Sequence, residues 1–116
     1  ELGHQKGDDI LVAVANVVKG CMESQDFVGR FGGEEFVVVS RRTCKEDAMA
    51  LAERIRAEVA LNIVANDVPL TVSLGVALYQ AGDDLKHLLA RADKALYQSK
   101  QNGRNQVSFQ VEKNIE

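Results

Sequence analysis

Residues Arg30-Phe31-Gly32-Gly33-Glu34-Glu35-Phe36 constrain this chain more than any other stretch. Two apolar runs, Phe27 to Phe31 and Phe36 to Val39, flank a tip of two glycines and two carboxylates, the pattern of a β-hairpin whose turn carries chemistry. Glycines at such a tip permit positive φ and let a bulky anion lie on the backbone. Carboxylates beside them can hold a hard cation such as Mg²⁺, which takes oxygen ligands and is usually completed by substrate phosphates. The combination suits a site that polymerises nucleotides.

The remaining chain reads as alternating helices and strands. Asp8 or Asp9 is placed to cap a helix whose apolar positions Ile10, Leu11, Val14, Val17, Val18 and Cys21 recur at helical spacing, with Glu1 to His4 as the tail of a preceding loop. After the hairpin, Thr43 with Glu46 has the form of a capping box. Ala48, Leu51, Ala52, Ile55 and Val59 make the buried stripe of a second helix over roughly Lys45 to Ala60. A turn is expected at Asn66-Asp67 between two short strand pieces, then a strand from Leu70 to Tyr79 in which Gly75 marks a bulge or a close backbone approach. Asp83 is expected to cap a third helix with Leu85, Leu88, Leu89, Ala92, Ala95 and Leu96 inward and Gly103 as its C′ residue, and Gln106 to Val111 is a final edge strand. This pattern implies an α+β domain, mainly an antiparallel sheet covered by helices.

Composition narrows the function. The chain has 116 residues and 46% hydrophobic content, enough for one domain with a single core. A net charge of -3 excludes a broad basic surface for duplex nucleic acid, so any phosphate must be met by a few placed cations. Cys21 and Cys44 stand apart without a C-x-x-C or Cys/His cluster, which predicts reduced, buried thiols rather than a zinc site. No apolar run approaches the ~20 residues of a membrane span and no signal-peptide pattern opens the chain, so a cytoplasmic domain without membrane contact is expected.

Gly32-Gly33-Glu34-Glu35-Phe36 resembles the signature of the GGDEF family of diguanylate cyclases, in the variant with Glu at the third position. Further matches follow in family order: Gly3-His4-Gln5-Lys6-Gly7-Asp8, Thr71-Val72-Ser73-Leu74-Gly75-Val76, and Ala92-Asp93-Lys94-Ala95-Leu96-Tyr97 running into Lys100 and Gly103-Arg104-Asn105. The resemblance implies a palm-like fold and a reaction that condenses two GTP into cyclic di-GMP with Mg²⁺ or Mn²⁺. It makes Glu34 the metal ligand and proton acceptor, with Glu35 in support. Gly32 and Gly33 lie against phosphate, Asp8 recognises guanine with His4 as its neighbour, and Lys100 with Arg104 takes the β- and γ-phosphates. Lys100 and Arg104 share a helical face if the turn persists through Gly103.

The resemblance also implies a homodimer, since each 3′-hydroxyl must face the other nucleotide, and an upstream sensor or regulatory domain. Family members begin with a strand carrying a metal-binding Asp and a helix carrying a guanine-contacting Asn, both ahead of Gly3. Residues 1–116 therefore read as this domain without its first strand and helix, expected to be inactive by itself. The competing reading is a degenerate domain that senses nucleotide or dimerises. The family's inhibitory Arg-x-x-Asp has Glu23 in place of its Arg and retains Asp26, which implies weak inhibition by product.

Overall fold

Val14, Val18 and Cys21 sit three and four residues apart, and helical geometry turns all of them to one side. They meet Ile55, Val59 and Ile63 in a buried cluster, flanked by Val38, Leu70, Val72 and Leu74. The computed structural model describes residues 2–23, 26–30, 36–39 and 44–110, with backbone alone described for 2–8, 27–30, 36, 37 and 39. Its elements are α1 (Leu2–Gly20), β1 (Phe27–Arg30), β2 (Phe36–Val39), α2 (Lys45–Asn62), β3 (Val64–Ala65), β4 (Val68–Pro69), β5 (Leu74–Val76), α3 (Leu85–Gln101) and β6 (Val107–Phe109).

The hairpin forms in the expected place. β1 and β2 pair antiparallel from Phe27 opposite Val39 to Arg30 opposite Phe36. β3 and β4 make a second, shorter hairpin. Its turn residues Asn66 and Asp67 both have positive φ, 54° and 65°, the requirement of a type I′ turn and one that Asn and Asp tolerate better than most side chains. β5 and β6 pair in parallel, Leu74 with Val107 and Val76 with Phe109. A parallel pair needs a crossover, and α3 provides it.

Gly75 permits that crossover to pack closely. A Cβ there would stand 2.2 Å from the Leu96 nitrogen and 2.3 Å from the Ala92 oxygen, so helix backbone lies directly on strand backbone. Of the two expectations for Gly75, a bulge or a close backbone approach, this is the second. Ser99, fully buried one turn further along α3, donates its hydroxyl proton to the Leu74 carbonyl at 2.7 Å and accepts from the Ser108 hydroxyl at 2.7 Å, joining the helix to both strands.

Several expectations need correction. α1 begins at Leu2, so Leu2, Gly3 and His4 are helical rather than a loop tail and neither Asp8 nor Asp9 is an N-cap; Glu1 lies outside the described residues. A cap preference of about 1 kcal/mol yields where the chain can instead extend an existing ladder of helical hydrogen bonds, and Gly3 and Gly7 weaken a helix without breaking it. The residue before α2 is Cys44, which makes no side-chain cap hydrogen bond, so the Thr43 capping box does not describe this start; Thr43 itself lies outside the described residues. α2 also runs on to Asn62.

α3 is capped by Asp84 rather than Asp83, its Oδ1 accepting the His87 N–H at 2.9 Å. Asp83 instead accepts from the Gln80 N–H at 2.7 Å and from both terminal nitrogens of Arg91, at 2.8 Å and 2.5 Å. Leu85, the first residue of α3, is 64% exposed rather than inward. β5 covers three residues rather than ten. Beyond it the Leu78 N–H is taken by the Gln110 side chain at 2.9 Å instead of a ladder partner. Cys21 is buried, and burial pushes its thiol upward in pKa, but Cys44 is exposed; both are free. Tyr79 and Tyr97 are exposed rim residues. Among the described residues no helix is long and apolar enough to cross a membrane.

Candidate nucleotide site

The motif residues fall at three places in this framework. β1 and β2 bring Arg30 and Phe36 opposite each other, and Gly32, Gly33, Glu34 and Glu35 belong to the segment between them, outside the described residues. α1 carries His4 and Asp8 at helical backbone positions four residues apart, on the same side of the helix and one turn from each other. The helix thus gives these two positions a common face in place of the expected loop at His4 and cap at Asp8 or Asp9.

Lys100 lies in α3 and Arg104 just beyond its end, and both are exposed. Lys100 lies in the last turn, where a cation complements the helix dipole. Asn102 is the C-cap and Gly103 follows with φ +116°. The Arg104 N–H returns to the Ser99 carbonyl at 2.8 Å, the six-to-one bond of a Schellman close. The helical turn therefore stops before Arg104, and the two cations do not share a helix face. Arg104 has φ +63° and Asn105 has φ +50°, left-handed conformations that neither residue adopts without cost.

Side chains from elsewhere surround this bend. The Asn105 N–H donates to Ser73 Oγ at 3.0 Å, and Asn105 Oδ1 accepts from Arg56 Nη1 at 2.9 Å. Arg56 is itself gripped by Glu53, Nε to Oε1 at 2.9 Å and Nη2 to Oε2, and this contact holds the Glu53 carboxyl below its ordinary pKa. Gln106 Nε2 donates to the Asn102 and Arg104 carbonyls at 2.9 Å and 3.2 Å. The contacts of Asn105 with Ser73 and Arg56 have no counterpart in the sequence reading. The one signal for Asn105 was membership of Gly103-Arg104-Asn105.

A groove between the end of α1 and α2 is lined by Cys21, Glu23, Asp47, Ala50, Leu51 and Arg54, two acids against one base. Glu23 exchanges two hydrogen bonds with Asp26: the Asp26 N–H donates to the Glu23 carbonyl at 2.9 Å and the Glu23 N–H donates to Asp26 Oδ2 at 2.9 Å. Among the described residues no three His, Cys, Asp or Glu side chains converge as a metal site. The carboxylates of Glu34 and Glu35, outside the described residues, are oxygen-only donors, the type Mg²⁺ and Mn²⁺ prefer.

The family described as "Diguanylate cyclase, GGDEF domain" matches residues 1–106. The chain belongs to the GGDEF family. This GGDEF domain is 44% identical over 111 residues to diguanylate cyclase A of Treponema denticola, covering 92% of the chain and 30% of that protein. It is 43% identical over 105 residues to diguanylate cyclase DgcM of Escherichia coli K12, covering 90% and 26%. It thus spans about a quarter to a third of the curated relatives it matches. Among solved structures, the active GGEEF domain of a diguanylate cyclase from Vibrio cholerae superposes with a TM-score of 0.85 at 34% identity, covering 95% of this chain and 72% of that one. The fold is the palm-like α+β fold of GGDEF domains, as the sequence led one to expect.

Proposed function

We propose that this GGDEF domain is a diguanylate cyclase that condenses two GTP into cyclic di-GMP and releases pyrophosphate, acting as a cytoplasmic homodimer under an upstream sensor or regulatory domain. The observation that carries the reading is that Gly32-Gly33-Glu34-Glu35-Phe36, Lys100 and Arg104 all lie within the family match over residues 1–106. Asp8 accepts the guanine N1–H and N2–H, with His4 one helical turn away beside the substrate. Gly32 and Gly33 bare backbone N–H groups to phosphate. Lys100 and Arg104 bind the β- and γ-phosphates and neutralise the departing pyrophosphate. Glu34 takes the proton from the attacking 3′-hydroxyl and would hold Mg²⁺ or Mn²⁺, with Glu35 in support. When bound, the metal polarises the α-phosphate and lowers the pKa of that hydroxyl. Since each nucleotide supplies the hydroxyl that the other needs, two domains meet face to face around a two-fold axis.

The test is turnover of GTP with Mg²⁺ by the full-length protein, measured as cyclic di-GMP formed. Glu34→Gln keeps volume and hydrogen bonding but removes charge, so it should abolish turnover while stability changes by no more than about 0.5 kcal/mol. An active Glu34→Gln protein with normal metal dependence overturns the catalytic assignment. A wild-type protein that binds GTP and forms no product is a nucleotide-binding module instead.

A further inference from the structure

Gly103, Arg104 and Asn105 form three consecutive residues with φ of +116°, +63° and +50°. Glycine accepts this freely, whereas a left-handed non-glycine residue costs roughly 1–2 kcal/mol and persists only where neighbours fix it. Two of the bonds that fix the run are local, from the Arg104 N–H to the Ser99 carbonyl and from Gln106 Nε2 to the Arg104 carbonyl. The other two come from distant chain. Ser73 Oγ accepts the Asn105 N–H, and Arg56 of α2, 49 residues earlier, donates to the Asn105 amide oxygen.

Arg56 suits this task. One edge of its planar guanidinium is committed to the Glu53 carboxylate through Nε and Nη2, which sets the plane and leaves Nη1 for Asn105. The Glu53 side chain is 55% exposed and that of Arg56 22%, so the pair itself adds little to stability. Its effect falls on the geometry of the loop it clasps.

We infer that Arg56, acting through the Asn105 amide, is a positioning residue that fixes the left-handed Arg104 backbone and hence the placement of the Arg104 guanidinium for nucleotide phosphate. This rests on the phosphate role given to Arg104 above. An anion clamp loses affinity when its cation can wander, because the ordering must then be supplied at binding.

The experiment is calorimetric titration of the full-length protein with α,β-methylene-GTP and Mg²⁺, with melting temperature recorded for each variant. Arg104→Ala should weaken binding about tenfold or more. Arg56→Ala should weaken it about three- to tenfold with little change in melting temperature, and in the Arg104→Ala background should change it less than about twofold. Asn105→Gly keeps the backbone freedom but lacks the acceptor, and should match Arg56→Ala. Asn105→Asp keeps both acceptor and left-handed tolerance and should bind like wild type. The inference is overturned if Arg56→Ala leaves Kd unchanged while Arg104→Ala weakens it, or if the two losses simply add. An Arg104→Ala protein that binds as tightly as wild type overturns the phosphate assignment itself, and the inference with it.

Discussion

Gly75→Ala adds one methyl group at the point where β5 meets α3. The new carbon would sit 2.2 Å from the Leu96 nitrogen, 2.3 Å from the Ala92 oxygen and 2.8 Å from the Ala95 carbonyl carbon, whereas ordinary contact begins at 3.4 Å. All three obstacles are helix backbone, so no side chain can rotate away and α3 must retreat by more than 1 Å. That retreat strains the 2.7 Å bonds of Ser99 to Leu74 and Ser108, each contributing about 1 kcal/mol, and opens the interface around the fully buried Ala95. Overpacking by a methylene commonly costs about 1–3 kcal/mol, and the backbone clash with two strained hydrogen bonds places this case at about 3 kcal/mol or above. Urea denaturation followed by far-ultraviolet circular dichroism measures it. Gly20→Ala is the control: nothing lies within 4 Å of its added carbon, and alanine in the last helical turn should be neutral or slightly stabilising. A loss below about 1 kcal/mol for Gly75→Ala would refute the close approach.

Other substitutions test separate contacts. Ser99→Ala leaves the Leu74 carbonyl and the Ser108 hydroxyl without their buried donor and partner, and should cost about 1–3 kcal/mol by the same denaturation assay. Arg91, with help from the Gln80 N–H, holds the Asp83 carboxyl at about 2, below its ordinary 3.8. Because the folded value is the lower one, this contribution is complete above 3.8 and is lost as pH falls toward 2; Asp83→Asn should flatten the acid side of a stability–pH curve over that window. Glu23 occupies the sequence position of the Arg in the family's inhibitory Arg-x-x-Asp, and it lines a groove with Asp47. Turnover should therefore be little inhibited by cyclic di-GMP, and Glu23→Arg should create or strengthen inhibition in a rate assay with added product. Tight product binding to the natural sequence, lost on Asp26→Ala, would show that Glu23 is no obstacle.

Where a local rule had one dominant cause, the sequence could be read directly. Ala52, Ile55 and Val59 lie inward because a three-and-four spacing admits one face, and Asn66-Asp67 turns because few other pairs tolerate two positive φ values. A glycine within a strand pattern narrowed Gly75 to a bulge or a close approach, and the α3 backbone against it decides for the second. Rival local preferences were harder to rank. Asp8 and Asp9 look like caps, yet α1 passes through them, and of the adjacent Asp83 and Asp84 the second caps α3 because Arg91 takes the first. The parallel register of β5 and β6 depends on a helix folding back between them, which the alternation of residues within either strand does not encode. Motif membership pointed to Lys100 and Arg104 as a pair but not to the bend that separates them. The bond from Arg56 to Asn105 spans 49 positions, beyond any local pattern.

The left-handed Arg104 has a consequence for anyone redesigning this protein. A search for stabilising replacements scores each site by how comfortably a residue fits its backbone, and at φ +63° glycine or asparagine fits better than arginine. Such a search would discard the cation and report an improvement. Natural selection, tolerating a strained residue so long as the fold stays above its threshold, is under no such instruction. Positions where the chain keeps an uncomfortable side chain are therefore the ones a thermostability campaign should leave alone, and in this molecule Arg104 heads that group.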